Sequence, residues 1–206
     1  DQSLGQSRAV TDPPDSFDGD YSRIRTETQG DAYQLYAITA DGVSPMAIPG
    51  TPDGMYTGDG LEHSPAGIPS SLHQDHAQQS EKRLRKLQNF DYGEHWALQS
   101  GHGPECLLTW GSASGAVFEA AGRLTAAGRP TRVVVLRLLA PLRVEALRAA
   151  LAGVETLLVV EQNQDGQCFR YLRSHDALPA HARFFGRSGP LALRPGEIIT
   201  ALDEVN

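Results

Sequence analysis

The chain has two cysteines, two methionines and two tryptophans among 206 residues, which leaves little for thiol, thioether or indole chemistry. Cys106 and Cys168 lie far apart, with no neighbouring Cys or His at metal-ligand spacing. A disulfide framework and a zinc site are therefore excluded as organising features. The usual iron–sulfur cluster takes four thiolates, so this chain alone cannot hold one. No apolar run is long enough to cross a bilayer and no charged-then-apolar leader opens the sequence, so the expected location is cytoplasmic with no membrane partner. Positive charge is also short: Lys and Arg total 18 against 25 Asp and Glu, a formal net charge of −7. Asp12, Asp15, Asp18 and Asp20 crowd the start, where a phosphate backbone would be repelled, so nucleic acid is not an expected partner. Internal repeats are absent.

What is present divides by composition. Residues 1–70 are rich in Gly, Pro, Ser and Asp and show no sustained helical period, which reads as an extended arm. Phe17, Tyr21, Tyr33, Tyr36 and Tyr56 give this arm more aromatic surface than a disordered tail carries, so it is expected to dock on something. A helix is predicted over 74–87, with Ala77, Leu84 and Leu87 on its apolar side. Its C-terminal half holds Lys82, Arg83, Arg85 and Lys86. Cations there complement the helix dipole, so a solvated face explains them without a partner; the functional alternative is an acidic subunit or the phosphates of coenzyme A.

Beyond residue 100, β-like and helical patterns alternate. Strands are predicted at 106–110, 132–138, 156–160 and 181–185, and helices at 116–127, 144–151, 167–173 and 196–202. The continuous apolar centre of 132–138 fits a strand covered on both faces. Repeated strand–helix units favour a mostly parallel sheet with helices on both sides, a three-layer α/β sandwich.

In such a sheet ligands meet the loops at the carboxyl ends of strands. The loop Trp110-Gly-Ser-Ala-Ser-Gly115 opens a helix, where Ser112 or Ser114 caps it or holds an anion. It lacks the Gly-x-Gly-x-x-Gly order of a dinucleotide site. Glu161-Gln-Asn-Gln-Asp-Gly166 follows the third predicted strand, and Glu161 is either a contact residue or an acceptor for nearby backbone N–H groups, with Asn163 or Asp165 capping the next helix. Glu62 and His63 lie in a Gly/Pro-bounded loop, a usual carrier of binding groups. Near them, His73 and His76 form a His-x-x-His pair without a third ligand at diagnostic spacing, so no metal site is assigned. No nucleophile–base pair or Gly-x-Ser-x-Gly elbow is found, and no catalytic residue is assigned.

Several motifs occur in order along the chain: Asp41-Gly-Val-Ser-Pro45, Ile48-Pro-Gly50, Asp59-Gly-Leu-Glu-His63, Gly67-Ile-Pro69, Glu81-Lys-Arg-Leu-Arg-Lys-Leu87, Thr109-Trp-Gly-Ser112 and Val159-Val-Glu161. Together they resemble the alpha subunit of 2-oxoacid:ferredoxin oxidoreductases, over nearly the whole chain. Where many members of that family carry a basic residue, this chain has Met46.

The resemblance implies a fragment. Residues 1–10 would be the tail end of a missing pyrimidine-binding domain, 11–73 an extended arm, 74–100 a helix and connection, and 101–206 a domain resembling the C-terminal domain of transketolases. It also implies an intact complex with thiamine diphosphate, Mg and an iron–sulfur cluster bound mainly outside this fragment. The implied partners are a beta subunit, ferredoxin and coenzyme A. The implied reaction is coenzyme A-dependent oxidative decarboxylation of a 2-oxo acid, 2-oxoglutarate by expectation, and the fragment alone should be inactive. Arg25, Tyr56, Glu62 and His63 from the arm, the four basic helix residues, and Glu161 are the candidate interface residues. The competing readings are a non-catalytic interaction module and a nucleotide-binding α/β domain of another enzyme.

Overall fold

The computed structural model describes residues 33–205. The chain divides into two units between Asp91 and Tyr92.

The C-terminal unit is built on five strands: β1 (Ala97–Ser100), β2 (Glu105–Trp110), β3 (Thr131–Leu136), β4 (Thr156–Glu161) and β5 (Arg183–Gly186). Their order across the sheet is β1-β3-β2-β4-β5. β2 runs parallel to β3 and β4, β5 runs parallel to β4, and only β1 is antiparallel, against β3. Between the strands lie α2 (Ser114–Ala126), α3 (Val144–Ala150) and α4 (Gln167–Ser174), and α5 (Pro195–Asp203) follows β5. Parallel neighbours need a crossover, and each helix supplies one or closes the fold.

The three central strands are apolar on both faces, and alternate residues feed two separate cores. Cys106, Leu108, Val134, Leu136, Leu157 and Val159 face α3 and α4, packing with Leu147 and Leu172. Leu107, Val133, Val135, Leu158 and Val160 face α2 and α5, packing with Val117, Leu124, Ile198 and Leu202. This is the expected three-layer sandwich with a mostly parallel sheet.

Local sequence explains the helices. In α2, Val117, Ala120, Ala121 and Leu124 fall at helical spacing on the buried side. Its end is fixed by Gly128, whose φ of +84° places it in the left-handed region, while the N–H of Arg129 donates to the Leu124 carbonyl at 2.9 Å. α5 begins with Pro195, and the Glu197 carboxylate accepts from the Arg194 backbone N–H at 2.7 Å. Arg129 then ties the bottom of the sheet together, donating to Glu105 at 2.7 Å and to Asp203 at 2.6 Å.

Residues 97–100, read from sequence as connection, form a strand. β1 is four residues long with a single buried side chain, Ala97, so it has no legible alternation. What places it is Trp96, buried in the core, whose carbonyl accepts from the N–H groups of Arg137 and Leu138.

The described part of the N-terminal unit, residues 33–91, consists of loops packed on one helix, α1 (His73–Asn89). The helix stands where the sequence placed it, but its orientation differs. Leu84 and Leu87 are exposed, whereas Gln79 and Lys82 are buried. The expected apolar face is therefore not the packed face. The material α1 meets is loop backbone, rich in carbonyl oxygens, and donors suit it better than leucines do.

Candidate functional site

The motif loops of the N-terminal unit converge on α1. Gln79 Nε2 donates to the Tyr36 carbonyl at 2.9 Å. Lys82 Nζ donates to the carbonyls of Tyr36 and Ala37 at 3.1 and 3.3 Å and to Ser44 Oγ at 2.9 Å. Arg85 Nη2 reaches the Thr39 carbonyl at 3.0 Å. One side of the helix thus gathers the Asp41-Gly-Val-Ser-Pro45 turn. Gly42 is required there: its φ is +82°, and a Cβ would stand 2.6 Å from both the Lys82 carbonyl and the Lys86 nitrogen.

A second loop, 59–70, is held by its own residues. Asp59 Oδ1 accepts from the Leu61 N–H at 2.8 Å, and the Ser70 N–H donates to the Glu62 carbonyl at 2.8 Å. Glu62 then reaches α1. Arg83 donates to its two oxygens at 3.1 and 2.8 Å, and His76 Nδ1 lies 3.0 Å from Oε2. The Arg83 hydrogen bonds are the main reason the Glu62 carboxyl sits at about 2 instead of 4.5; partial burial opposes them, and the His63 N–H and His76 reinforce them. The same pairing raises the Arg83 pKa.

His63 is buried and stacks on Tyr36, with ring centroids 4.2 Å apart and planes 9° from parallel. Its Nε2 lies 2.9 Å from Asp59 Oδ1, a close approach whose alignment falls short of a hydrogen bond. The Lys82 ammonium lies 5.9 Å from the centroid of the Tyr36 ring. Tyr36 is consequently the hub of the unit, carrying a ring stack, a cation and two donors on its carbonyl. The sequence analysis noted it only as an aromatic, and it lies ahead of the first quoted motif, so the motif series did not single it out.

Residues 35–46, Tyr56 and α1 border an open cavity of about 780 Å³, its lining including Tyr36, Ser44, Lys82, Arg83 and Lys86. Among the described residues no carboxylate lines it.

In the C-terminal unit the strand order reverses between β2 and β4, which places the loops after them side by side at the carboxyl edge of the sheet. Trp110, Gly111, Ser112, Ala113, Gln162 and Asn163 line a smaller cleft there, about 200 Å³. Ser114 Oγ bonds back to the Gly111 carbonyl at 2.8 Å. Glu161 is 1% exposed and turned inward. Its oxygens accept from the N–H groups of Cys168 and Phe169, both at 2.9 Å, and from Asn163 Nδ2 at 2.5 Å. Asn163 Oδ1 in turn accepts from the Gly166 N–H at 2.7 Å. The carboxylate therefore stabilises the N-terminus of α4. Of the two expectations for Glu161, the structure realises the backbone-acceptor one. It leaves no free oxygen for a partner.

The other predicted residues fall into two groups. Glu62, His63, Lys82, Arg83 and Arg85 are brought together and spent largely on holding the loops. Tyr56 and Lys86 remain exposed at the cavity. Arg25 and residues 1–10 lie outside the described residues. His73 and His76 start α1, and among the described residues no three metal-ligating side chains converge. Burial pushes the Cys106 and Cys168 thiols up to about 12. No helix among the described residues is long and apolar enough to cross a membrane.

The C-terminal unit is thus an open, doubly covered α/β domain, and the N-terminal unit is a set of motif loops organised by a polar helix. Comparisons with known proteins carry this further. No protein-family model matches the chain. Over 77% of its length it is 29% identical to a 2-oxoacid:ferredoxin oxidoreductase subunit alpha of Saccharolobus solfataricus, of which it spans 26%. Over 71% it is 28% identical to subunit alpha of 2-oxoacid:ferredoxin oxidoreductase 2 of Aeropyrum pernix, spanning 23% of that protein. The chain therefore spans about a quarter of the curated relatives it matches. Among solved structures it overlays, with TM-score 0.69 and 30% identity, on a 2-oxoglutarate:ferredoxin oxidoreductase from Magnetococcus marinus with 2-oxoglutarate, coenzyme A and succinyl-CoA bound. That match covers 88% of this chain and 32% of the other. A split-gene transketolase chain overlays at TM-score 0.45 and 15% identity. The chain is a relative of the 2-oxoacid:ferredoxin oxidoreductase alpha subunits, as its motifs indicated.

Proposed function

We propose that this chain is the C-terminal portion of the alpha subunit of a thiamine-diphosphate-dependent 2-oxoacid:ferredoxin oxidoreductase. The intact complex would carry out coenzyme A-dependent oxidative decarboxylation, with 2-oxoglutarate as substrate and ferredoxin as acceptor. The observation that carries this reading is the likeness to the Magnetococcus marinus enzyme, whose 88% coverage of this chain is too wide to fall within one unit.

Within that reading the chain is structural and interface-forming, and inactive alone. Tyr56 and Lys86 are its contact residues, while Glu62, His63, Lys82, Arg83 and Arg85 hold the loops that present them. Glu161 contributes by ordering the loop after β4. Thiamine diphosphate, its metal and the iron–sulfur cluster are assigned outside this chain. The described residues offer no converging acidic cluster for Mg and only two buried thiols.

The test is composition. The intact protein, purified with its second subunit, is expected to carry thiamine diphosphate and iron in proportion to the complex. A stable complex containing neither would replace this reading with that of a non-catalytic interaction module.

A further inference from the structure

An Asp-Gly pair can react with itself, because glycine puts no side chain between its nitrogen and the preceding carboxyl. The described residues hold four such pairs: Asp41-Gly42, Asp53-Gly54, Asp59-Gly60 and Asp165-Gly166. Three of them are held. The Asp41 carboxylate accepts from the Val43 N–H at 3.0 Å, the main reason its pKa is lowered, and Gly42 is wedged against α1. Asp59 Oδ1 accepts from the Leu61 N–H at 2.8 Å and faces His63 Nε2 at 2.9 Å. Gly166 is buried against the Phe184 ring, and its N–H donates to Asn163 Oδ1 at 2.7 Å. Each pair must release a carboxyl or a nitrogen before it can react.

Asp53-Gly54 differs. Residues 51–54 form a turn closed by the Gly54 N–H, which donates to the Thr51 carbonyl at 3.1 Å. Pro52 suits the second position of such a turn. The third calls for a positive φ, and there the chain has Asp53, at +59°, in place of glycine. Asp53 is exposed, as are Pro52 and Met55 on either side of the pair, Met55 at 92%. What restrains the pair is a neutral backbone hydrogen bond at the surface, where local opening costs least, and opening relieves the strain of an L-residue at positive φ.

We propose that Asp53-Gly54 is a site of spontaneous isoaspartate formation, and that its left-handed turn steers the products towards the D configuration. The Gly54 nitrogen attacks Asp53 Cγ. A new N–C bond closes a cyclic imide, the amide proton and the carboxyl hydroxyl leave as water, and nothing is oxidised or reduced. Water then opens the ring at either carbonyl, returning aspartate or leaving isoaspartate, whose backbone runs through the β-carboxyl. While the ring is closed Cα is acidic and epimerises, and a D-residue occupies positive φ without strain. Isoaspartate adds a methylene to the backbone beside Gly54, which has no slack: a Cβ there would stand 2.9 Å from Ala47 Cβ. The modification therefore displaces the residues that follow, Tyr56 among them. The proposal goes beyond the oxidoreductase reading and does not rest on it, since it concerns the covalent state of one turn.

The experiment ages the 206-residue chain at neutral pH in water enriched in heavy oxygen, once folded and once in denaturant, and follows each Asp-Gly peptide by mass spectrometry. Opening of the imide leaves a heavy oxygen in the residue, so turnover at each pair is read directly, and chiral analysis of the peptides gives the D share. In the folded chain Asp53 is expected to label about tenfold faster than Asp41, Asp59 or Asp165, the population equivalent of one further hydrogen bond broken to open. In denaturant the four rates should converge. Asp176, at φ +51° but followed by Ala177, is the control for positive φ without glycine and should not label. The D share at Asp53 should be higher in the folded chain than in denaturant. Equal labelling of the four pairs in the folded chain, or none at Asp53, overturns the site. A D share that denaturation leaves unchanged overturns the steering. Neither result touches the cofactor content of the intact complex, so the two readings fail separately.

Discussion

Glu62 and Arg83 meet through two parallel hydrogen bonds of 3.1 and 2.8 Å, and this pair fastens the Gly-Leu-Glu-His loop to α1. The carboxylate is mostly sheltered while the guanidinium is half exposed, so solvent weakens the pair without dissolving it. Geometry gives it importance: it is one of the few links between residues 59–70 and the helix.

Glu62→Gln is expected to destabilise the N-terminal unit by about 1 kcal/mol at neutral pH, the scale of a partly exposed bidentate pair. The folded-state pKa of Glu62 is depressed from 4.5 to about 2. Its contribution is therefore complete above about 4.5 and is lost as pH falls through about 2. Denaturation curves between those limits should fall more steeply in the parent chain than in Glu62→Gln. Parallel curves would show that the pair contributes nothing to folding.

Glu161→Ala should be among the most damaging single changes in the C-terminal unit. It removes the acceptor of two N–H groups at the start of α4 from a site 1% exposed. A loss of about 3 kcal/mol is expected from orphaned buried donors. The denaturant midpoint measures it, and a change below about 0.5 kcal/mol, the usual range of surface substitutions, would contradict the assigned role.

Gly42→Ala tests the close approach of the Asp41-Gly-Val-Ser-Pro45 turn to α1. The φ of +82° and the two 2.6 Å encounters with helix backbone leave a methyl group no room. Destabilisation of about 2 kcal/mol or more is expected. Gly50, also at positive φ but with nothing near its absent Cβ, should respond less to the same substitution. Equal responses would assign the whole effect to backbone strain.

Cys106 and Cys168, with thiols pushed up to about 12 by burial, should resist alkylation at neutral pH until the domain unfolds. Labelling followed by mass spectrometry decides this. Rapid modification in the native protein would show that the cores around β2 and α4 open readily.

The fold was legible because β2, β3 and β4 are apolar on both faces and the helices between them keep a helical period, so each local pattern pointed to the same architecture. β1 was not legible: a four-residue edge strand with one buried side chain carries no period, and its place depends on Trp96. The face of α1 was misread for a related reason. Leu84 and Leu87 marked the apolar side, but the helix packs against loop carbonyls, which select Gln79, Lys82 and Arg85. The same chemistry explains why the basic run is only partly a solvated face, and why Glu161, legible as important, turned out to face inward. The motif loops were recognisable as motifs, yet the Tyr36–His63 stack that ties the Gly-Leu-Glu-His loop to residues ahead of the first motif depends on contacts far apart in sequence.

The central claim is tested most directly by viologen reduction with the full-length alpha subunit and its beta partner, supplied with a panel of 2-oxo acids, with and without coenzyme A. The account predicts coenzyme A-dependent turnover with 2-oxoglutarate as the preferred substrate. Turnover confined to another oxo acid would contradict the substrate assignment. A stable complex loaded with thiamine diphosphate and iron that reduces no viologen with any oxo acid would contradict the account itself.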